Sequence, residues 1–364
     1  MDDLHETRRA AGLTGTIEAP PGNPQPYDAQ AILFGTEEPP PFPEMNIFPL
    51  DWHIETPKLR ELYNAARNPG WAPPMLPWHT LEPARLTQDQ RYALSYWWAL
   101  LSTFDGSGPV VFARTMIHTF ETHEEDPVRQ CFFSITRDEM NHEEVCGRAI
   151  TALTPGGPLG YQQQTPLGQL AQNNIKWMYH NGARYWSGFK NGIHKYPLPI
   201  LFTSFLMGEV ASATLFHGMQ QRTTIPVFKE AFRCIGQDEA RHMGICVAVL
   251  EKLLPKLTDE QRATITRQIR AGFVFLSGIL HEPPADFWEL PSTFKPASRL
   301  LEDTARDAGL GILSLTERAE NWRAAVLKLK GLLEPHGIAF PALPEVGIDG
   351  ETVAFDPADI VPVF

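Results

Sequence analysis

Two copies of one short pattern constrain this chain more than any other feature. Asp138-Glu139-Met140-Asn141-His142 recurs, one hundred residues later, as Asp238-Glu239-Ala240-Arg241-His242. Each copy sits in the middle of an otherwise apolar stretch with helical spacing. On a helix, residues i and i+3 project the same way, so Glu139 with His142, and Glu239 with His242, can each reach one point in space. A carboxylate beside an imidazole is a donor pair for iron or manganese. One Glu-x-x-His alone says little, because such pairs are common on solvated helix faces. Two copies, both preceded by Asp and both in apolar helices, are hard to reconcile with exposed charged turns.

A bundle site built from such a pair takes one further carboxylate from each of two more helices. Antiparallel neighbours place these partners symmetrically about the connecting turn. Reflecting Glu239 about the turn near Thr224 lands on Glu209, flanked by Leu206, Met207, Val210 and Leu215. A carboxylate in so apolar a stretch is costly unless it is paired or metal-bound. Reflecting Glu139 about the polar loop near residue 122 lands on Asp105, just past the apolar run Trp97–Phe104. Asp105-Gly106-Ser107-Gly108 also reads as a plain turn. The nearest other carboxylates, Glu121 and Glu124, lie too few residues from Glu139. The expected ligand set is Asp105, Glu139, His142, Glu209, Glu239 and His242. Asp138 and Asp238 are expected to accept the outer N–H of an imidazole, each from the opposite half of the site, which fixes the tautomer. Arg241 can pair with Asp138 across the pseudo-twofold, where the first half carries the neutral Asn141.

The rest of the chain supplies helices to hold these residues. Thr87 with Gln90 has the form of a capping box, and helical spacing follows to about Phe120, with a kink or break at Gly106, Gly108 and Pro109. Further helices are predicted from Val128 to Leu153, Gln169 to Tyr185, Pro199 to Gln220 and Val227 to Leu254. One more, capped by Thr258 with Gln261, runs through Leu276, and the last covers 315–333. Glu121 to Pro127 is expected to be a polar loop. Strand signals are almost absent, so the class is all-α: a four-helix bundle with extra helices and proline-rich arms. The expected organisation is an arm at 1–55, a helical domain at 56–334 with its core bundle at 88–255, and a proline-rich acidic tail at 335–364. Phe112, Met116, Ile135, Leu206 and Ala213 are candidates to line a pocket beside the site, and equally fit plain core packing. Trp177, Tyr179, His180, Tyr185 and Trp186 form an aromatic cluster outside the motif helices.

Composition narrows the partners. Among 364 residues, 43% are hydrophobic and 20% charged, and the net charge of −12 repels nucleic-acid phosphates and anionic lipid. Neither nucleic acid nor membrane is therefore expected as a partner. Four cysteines in a chain this long do not make a disulfide scaffold, which suits a reducing compartment. The start of the chain has no apolar core like that of a signal peptide. The longest greasy segment, Leu198 to Met207, is shorter than the roughly 18 apolar residues of a membrane span. A soluble cytoplasmic protein is expected.

With the paired motifs and their reflected partners, residues 88–255 resemble the ferritin-like diiron-carboxylate superfamily. The stretch 238–242 is similar to that of bacterial multicomponent monooxygenase hydroxylases, ribonucleotide reductase R2 subunits and AurF-type arylamine N-oxygenases. The resemblance implies two iron ions, or manganese with iron, and O2 as co-substrate. It implies an oxygenase or oxidase for a small organic substrate, acting by C–H hydroxylation, N-oxygenation or desaturation. It also implies an electron donor, such as a reductase or ferredoxin, and a possible homodimer. An R2-like radical-generating or redox subunit is the alternative, and iron handling a third. Three departures bear on the choice. Cys146 stands where R2 subunits commonly carry a radical-bearing tyrosine, which disfavours that role and mildly favours oxygenation; Cys246 repeats the spacing after His242. Ile235 stands where AurF-type enzymes add a third histidine. Aspartate at 105 is more R2-like, where hydroxylases generally use glutamate.

Overall fold

Proline, capping side chains and a glycine-rich break set the ends of the helices that carry the motifs. The computed structural model describes residues 56–67, 70–122, 124–160, 164–189, 196–280 and 290–354. The arm expected at 1–55 and the end of the tail, 355–364, lie outside the described residues. Helix α1 spans Pro57–Arg67, α2 Gln88–Asp105, α3 Gly108–Glu121, α4 Asp126–Leu153 and α5 Pro166–Phe189. Then follow α6 Leu198–Arg222, α7 Pro226–Leu253, α8 Asp259–Leu280, α9 Phe294–Asp307 and α10 Leu315–Leu333. Among the described residues the only β pairings are the isolated bridges Pro341–Glu351 and Leu343–Ile348, so the class is all-α.

The helix starts follow from local chemistry. Proline occupies the first turn of α3, α4, α6 and α7, where its missing N–H has no partner to lose. The Thr87 hydroxyl accepts from the Gln90 backbone N–H while the Gln90 side chain accepts from that of Thr87, closing the expected capping box of α2. Thr258 and Gln261 make the same exchange before α8. The break expected at Gly106 to Pro109 divides α2 from α3.

Packing joins α6 to α7, and α2 and α3 to α4; α1 lies against both α4 and α7. Helices α8 and α10 cover α6, while α5 and α9 cover α2. The interior is rich in aromatic rings. Trp98 stacks on Phe232 with centroids 5.2 Å apart, and Phe112, Phe132, Phe202 and Phe205 form a second cluster. Helix α6 is long and apolar enough to cross a membrane, yet 78% of its most apolar window is buried inside the fold. It is the central helix of the bundle, and burial explains its composition.

The structure departs from the sequence reading in three places. Helices α1 and α9 were not anticipated. Asp126 and Pro127 begin α4 and do not belong to a loop, and Glu125 before them is fully buried. Its carboxylate accepts from Thr56 backbone N–H at 2.8 Å and hydroxyl at 2.6 Å, and from Lys252 at 3.4 Å, tying the start of α1 to the end of α7. Beyond α10, Ile338, Phe340, Leu343, Val346 and Ile348 are buried in the core. We predict that Phe232→Ala lowers unfolding free energy by about 3–5 kcal/mol in a denaturant titration, because the site between Trp98 and Phe216 cannot collapse around the lost ring.

Candidate metal centre

Where α2, α4, α6 and α7 face one another, six polar side chains are buried in the interior. Asp105 is the last residue of α2; Glu139 and His142 lie mid-way along α4, Glu209 on α6, Glu239 and His242 on α7. All six are buried, the two imidazoles completely. The i, i+3 spacing does what the helix requires: within each motif the carboxylate and the ring Nδ1 point to one place.

The carboxylates of the motifs each face both imidazoles. Glu139 offers Oε2 to His142 Nδ1 at 3.7 Å and Oε1 to His242 Nδ1 at 3.3 Å. Glu239 offers Oε1 to His142 Nδ1 at 3.5 Å and Oε2 to His242 Nδ1 at 3.7 Å. Glu209 lies at the His242 end only, with Oε2 3.3 Å from Nδ1. Asp105 lies at the other end, where its Oδ2 is 4.0 Å from Cys146 Sγ. The arrangement has two ends and two side chains spanning them.

The outer edges of the rings are held by the aspartates, each from the opposite motif. His142 Nε2 donates to Asp238 Oδ2 at 3.4 Å, and His242 Nε2 donates to Asp138 Oδ2 at 3.3 Å. Arg241 donates to both aspartates, at 2.6 Å to Asp138 and 2.7 Å to Asp238. Two further donors carried no sequence signal of their own. Arg137 bonds Asp138 Oδ1 and the Ala66 carbonyl. Trp71, from an aperiodic proline- and glycine-rich segment, donates its indole N–H to Asp238 Oδ2 at 3.1 Å and stacks on His142.

With both Nε2 atoms donating outward, both Nδ1 atoms face inward toward the carboxylates. Neither buried Nδ1 has a hydrogen-bond partner. The charge balance points the same way. Arg137 and Arg241 offset Asp138 and Asp238, whereas Asp105, Glu139, Glu209 and Glu239 are four buried carboxyl groups, worth four negative charges when ionised, with no fixed cation among them. Two divalent ions would neutralise those four, and the hard oxygen and imidazole donors suit iron or manganese. The residues fit a two-metal centre.

Protonation shows how strongly the cluster attracts positive charge. Burial and the charge of Glu139 push the Asp105 carboxyl up to about 7. Burial and the charge of Glu209 hold Glu239 well above the usual carboxylate range. Burial opposes charge on His142 and His242, yet hydrogen bonds and the surrounding carboxylates outweigh it and hold both well above an ordinary imidazole. Glu139, although buried, is drawn down to about 2 by those same imidazoles. Protons thus do in the metal-free cluster what metal ions would otherwise do.

Space is shaped as well as charge. A Cβ on Gly108 would lie 2.7 Å from Glu139 Oε2, so only glycine leaves room for that carboxylate. Phe112 and Ile135 are fully buried core residues, Phe112 with its ring 5.0 Å from Phe205, and Met116 packs against the same core. Leu206 and Ala213 instead line a groove of about 1090 Å³ between α6, α7 and α10. Trp177 and His180 meet edge to face at 6.3 Å, away from the ligands; the side chains of Tyr185 and Trp186 lie outside the described residues.

Two solved structures share this architecture. Both are single-site variants of an R2-like ligand-binding oxidase with aerobically reconstituted Mn/Fe cofactor. Each superposes with a TM-score of 0.54, at 14% and 13% identity, over 79% and 78% of this chain and 95% and 94% of theirs. The chain has the ferritin-like fold of the R2-like oxidases. No family model and no curated protein matches the sequence. Identity this low establishes the fold and leaves the chemistry to the residues themselves.

Two measurements follow from this geometry. Trp71→Phe keeps the stacking on His142 but removes the donor to Asp238, and is expected to weaken Mn(II) binding about tenfold in a calorimetric titration with little change in melting temperature. The second concerns pH. Protonated His142 and His242 stabilise the metal-free fold fully below the ordinary imidazole value of 6.5, and that contribution is lost as pH rises through their higher folded values. Metal must displace those protons, so the thermal stabilisation given by Mn(II) should grow between about pH 6 and about pH 8. A constant or shrinking increment would contradict this assignment.

Proposed function

We propose that this protein binds two iron ions, or one manganese and one iron, and couples reduction of O2 to oxidation of a small organic substrate. The observation that carries the reading is the pair of unpartnered Nδ1 atoms, buried among four carboxylates, two of which face both imidazoles. When bound, such a metal pair supplies two electrons to O2 together, without releasing one-electron products.

The chain's own residues would do the rest. His142 and Asp105 would hold one metal ion and His242 and Glu209 the other, with Glu139 and Glu239, which face both imidazoles, available to either. Asp138 and Asp238 keep the rings in one tautomer and one orientation, and Arg241 fixes the two aspartates relative to each other. Phe112, Ile135, Cys146 and Cys246 keep bulk water away, each being buried beside the ligand helices. Burial holds the thiols of Cys146 and Cys246 far above their ordinary value, so both stay neutral. Substrate oxidation by hydroxylation, N-oxygenation or desaturation needs a C–H or N–H bond to reach this interior, and two further electrons and two protons from an external donor such as a reductase or ferredoxin to balance the reduction of O2.

One observation favours a redox role for a partner as a second reading. Trp71 is 9% exposed, and its indole is hydrogen-bonded to the aspartate that orients His142. It connects to His142 through two hydrogen bonds, a path suited to electron exchange with a reductase or ferredoxin. A cytoplasmic setting fits the four unpaired, buried cysteines.

The test is direct. The protein, freed of metal and loaded anaerobically with Fe(II), should hold about two irons per chain, as a carboxylate-bridged bundle site requires. Admitting O2 should then change its optical spectrum and consume O2, faster in the presence of an oxidisable substrate. Glu139→Ala and Glu239→Ala should lose both properties. If the parent binds neither iron nor manganese while both variants fold as well as it does, the reading is wrong.

A further inference from the structure

We propose that residues 48–55, the end of the proline-rich arm, pack into the groove between α6, α7 and α10 with one apolar edge turned inward. The groove holds about 1090 Å³. Its floor is apolar: Leu206, Val210 and Ala213 from α6, Met243 and Val247 from α7, and Leu329 from α10. Ala213, Met243 and Val247 are only half-buried, although they lie well inside the two helices that pack together at the centre of the bundle. A run of apolar side chains left open along two core helices, rimmed by Lys58, Glu251 and Lys328, marks a surface that takes an occupant.

The sequence and the path of the chain identify that occupant. Phe48-Pro-Leu-Asp-Trp-His-Ile-Glu55 places Phe48, Leu50, Trp52 and Ile54 at every second position, alternating from Leu50 onward with Asp51, His53 and Glu55. A period of two gives an extended segment one apolar edge and one polar edge. The chain enters beside the groove. Buried Glu125 fixes Thr56 through its backbone N–H at 2.8 Å and its hydroxyl at 2.6 Å, and Lys252 of α7 reaches the same carboxylate at 3.4 Å. Glu251, next to Lys252, and Lys58, two residues after Thr56, both line the groove. Residue 55 is therefore delivered at the Glu251 end. Eight extended residues span about 26 Å. Along α7 the groove runs about 12 Å from Glu251 to Met243, and about 10 Å more along α6 from Leu206 to Ala213. The segment is long enough to lay Ile54 near Val247 and Phe48 near Ala213. Attachment also favours it over any free partner, because a short tether holds it at millimolar effective concentration.

Thiol accessibility in the full chain tests this. The four natural cysteines are buried and give a silent background. Ala213→Cys places a thiol in the groove, and Met140→Cys places one on the outer face of α4, where Met140 is 60% exposed. Adding Leu50→Asp and Trp52→Asp together should speed alkylation at Ala213→Cys by about tenfold or more and leave the rate at Met140→Cys unchanged. Under mild oxidation, Phe48→Cys with Ala213→Cys should form a disulfide within one chain, whereas Phe48→Cys with Met140→Cys should not. An alkylation rate at Ala213→Cys that ignores the two aspartates overturns the assignment. So does a Phe48→Cys, Ala213→Cys protein whose disulfide joins two chains, which would give the groove to the arm of a second copy, or one that forms no disulfide. Circular dichroism and melting curves establish that each variant is folded. If the Leu50→Asp, Trp52→Asp protein does not fold, the disulfide pair still decides.

Discussion

Four carboxylates buried within a few ångströms of one another cannot persist without positive charge. Burial of one isolated carboxylate already costs several kcal/mol, and like charges at close range add to it. In this protein the compensation is arranged in two shells of opposite logic. The outer aspartates are neutralised by Arg137 and Arg241, fixed parts of the chain. The inner four have only titratable neighbours, and that is why protons crowd onto His142, His242 and Glu239. A fold that needed only stability would have placed apolar side chains here. The bundle instead surrounds an acidic cluster with aromatic packing, and the most extensively packed helix pair, α6 with α7, carries Glu209, Glu239 and His242.

The outer shell also explains how two motifs from distant parts of the chain act as one. Each imidazole is oriented by the aspartate of the other motif, so neither half-site can form without its counterpart. Arg241 donates from a single nitrogen to both aspartates, locking the crossing. The pseudo-twofold is broken around that lock: Trp71 supports Asp238, Arg137 supports Asp138, and Asn141 leaves no second guanidinium to compete. Asymmetry in the outer shell matches asymmetry in the donors, where one end rests on continuous helices and the other on a helix terminus.

Much of this was legible in the sequence because helical geometry is local. The i, i+3 spacing of Glu and His, the capping box at Thr87 and the glycine break at 106–108 are decided by near neighbours. Reflection about a turn extends such reasoning to Glu209 and Asp105, since antiparallel helices of equal rise bring equidistant residues level. The crossed bonds of Asp138 and Asp238 followed from the same symmetry. Reasoning from period fails where a residue's role is set by tertiary contact. Trp71 lies in a segment with no period, and nothing near it signals Asp238 as its acceptor. Glu125 reads as one acid among several in a polar stretch, and only the arrival of Thr56 and Lys252 makes it a buried clamp. The hydrophobes at 338–348 are spaced like a loop, and their burial depends on the groove they meet.

The departures from the enzymes that the sequence resembles can be interpreted physically now that their surroundings are known. Cys146 occupies the position at which R2 subunits commonly carry tyrosine, and it is fully buried with its thiol held neutral beside Asp105. A side chain that small fills less space beside Asp105 than a phenol ring would. Ile235, one turn before Glu239, is likewise fully buried, and no third imidazole reaches the interior from that turn. The donor set therefore stays at four carboxylates and two imidazoles, whose charge two divalent ions balance without a surplus ligand. What the fold requires is a pair of helices crossing at a fixed distance with an acid and an imidazole one turn apart, and many apolar sequences can provide that.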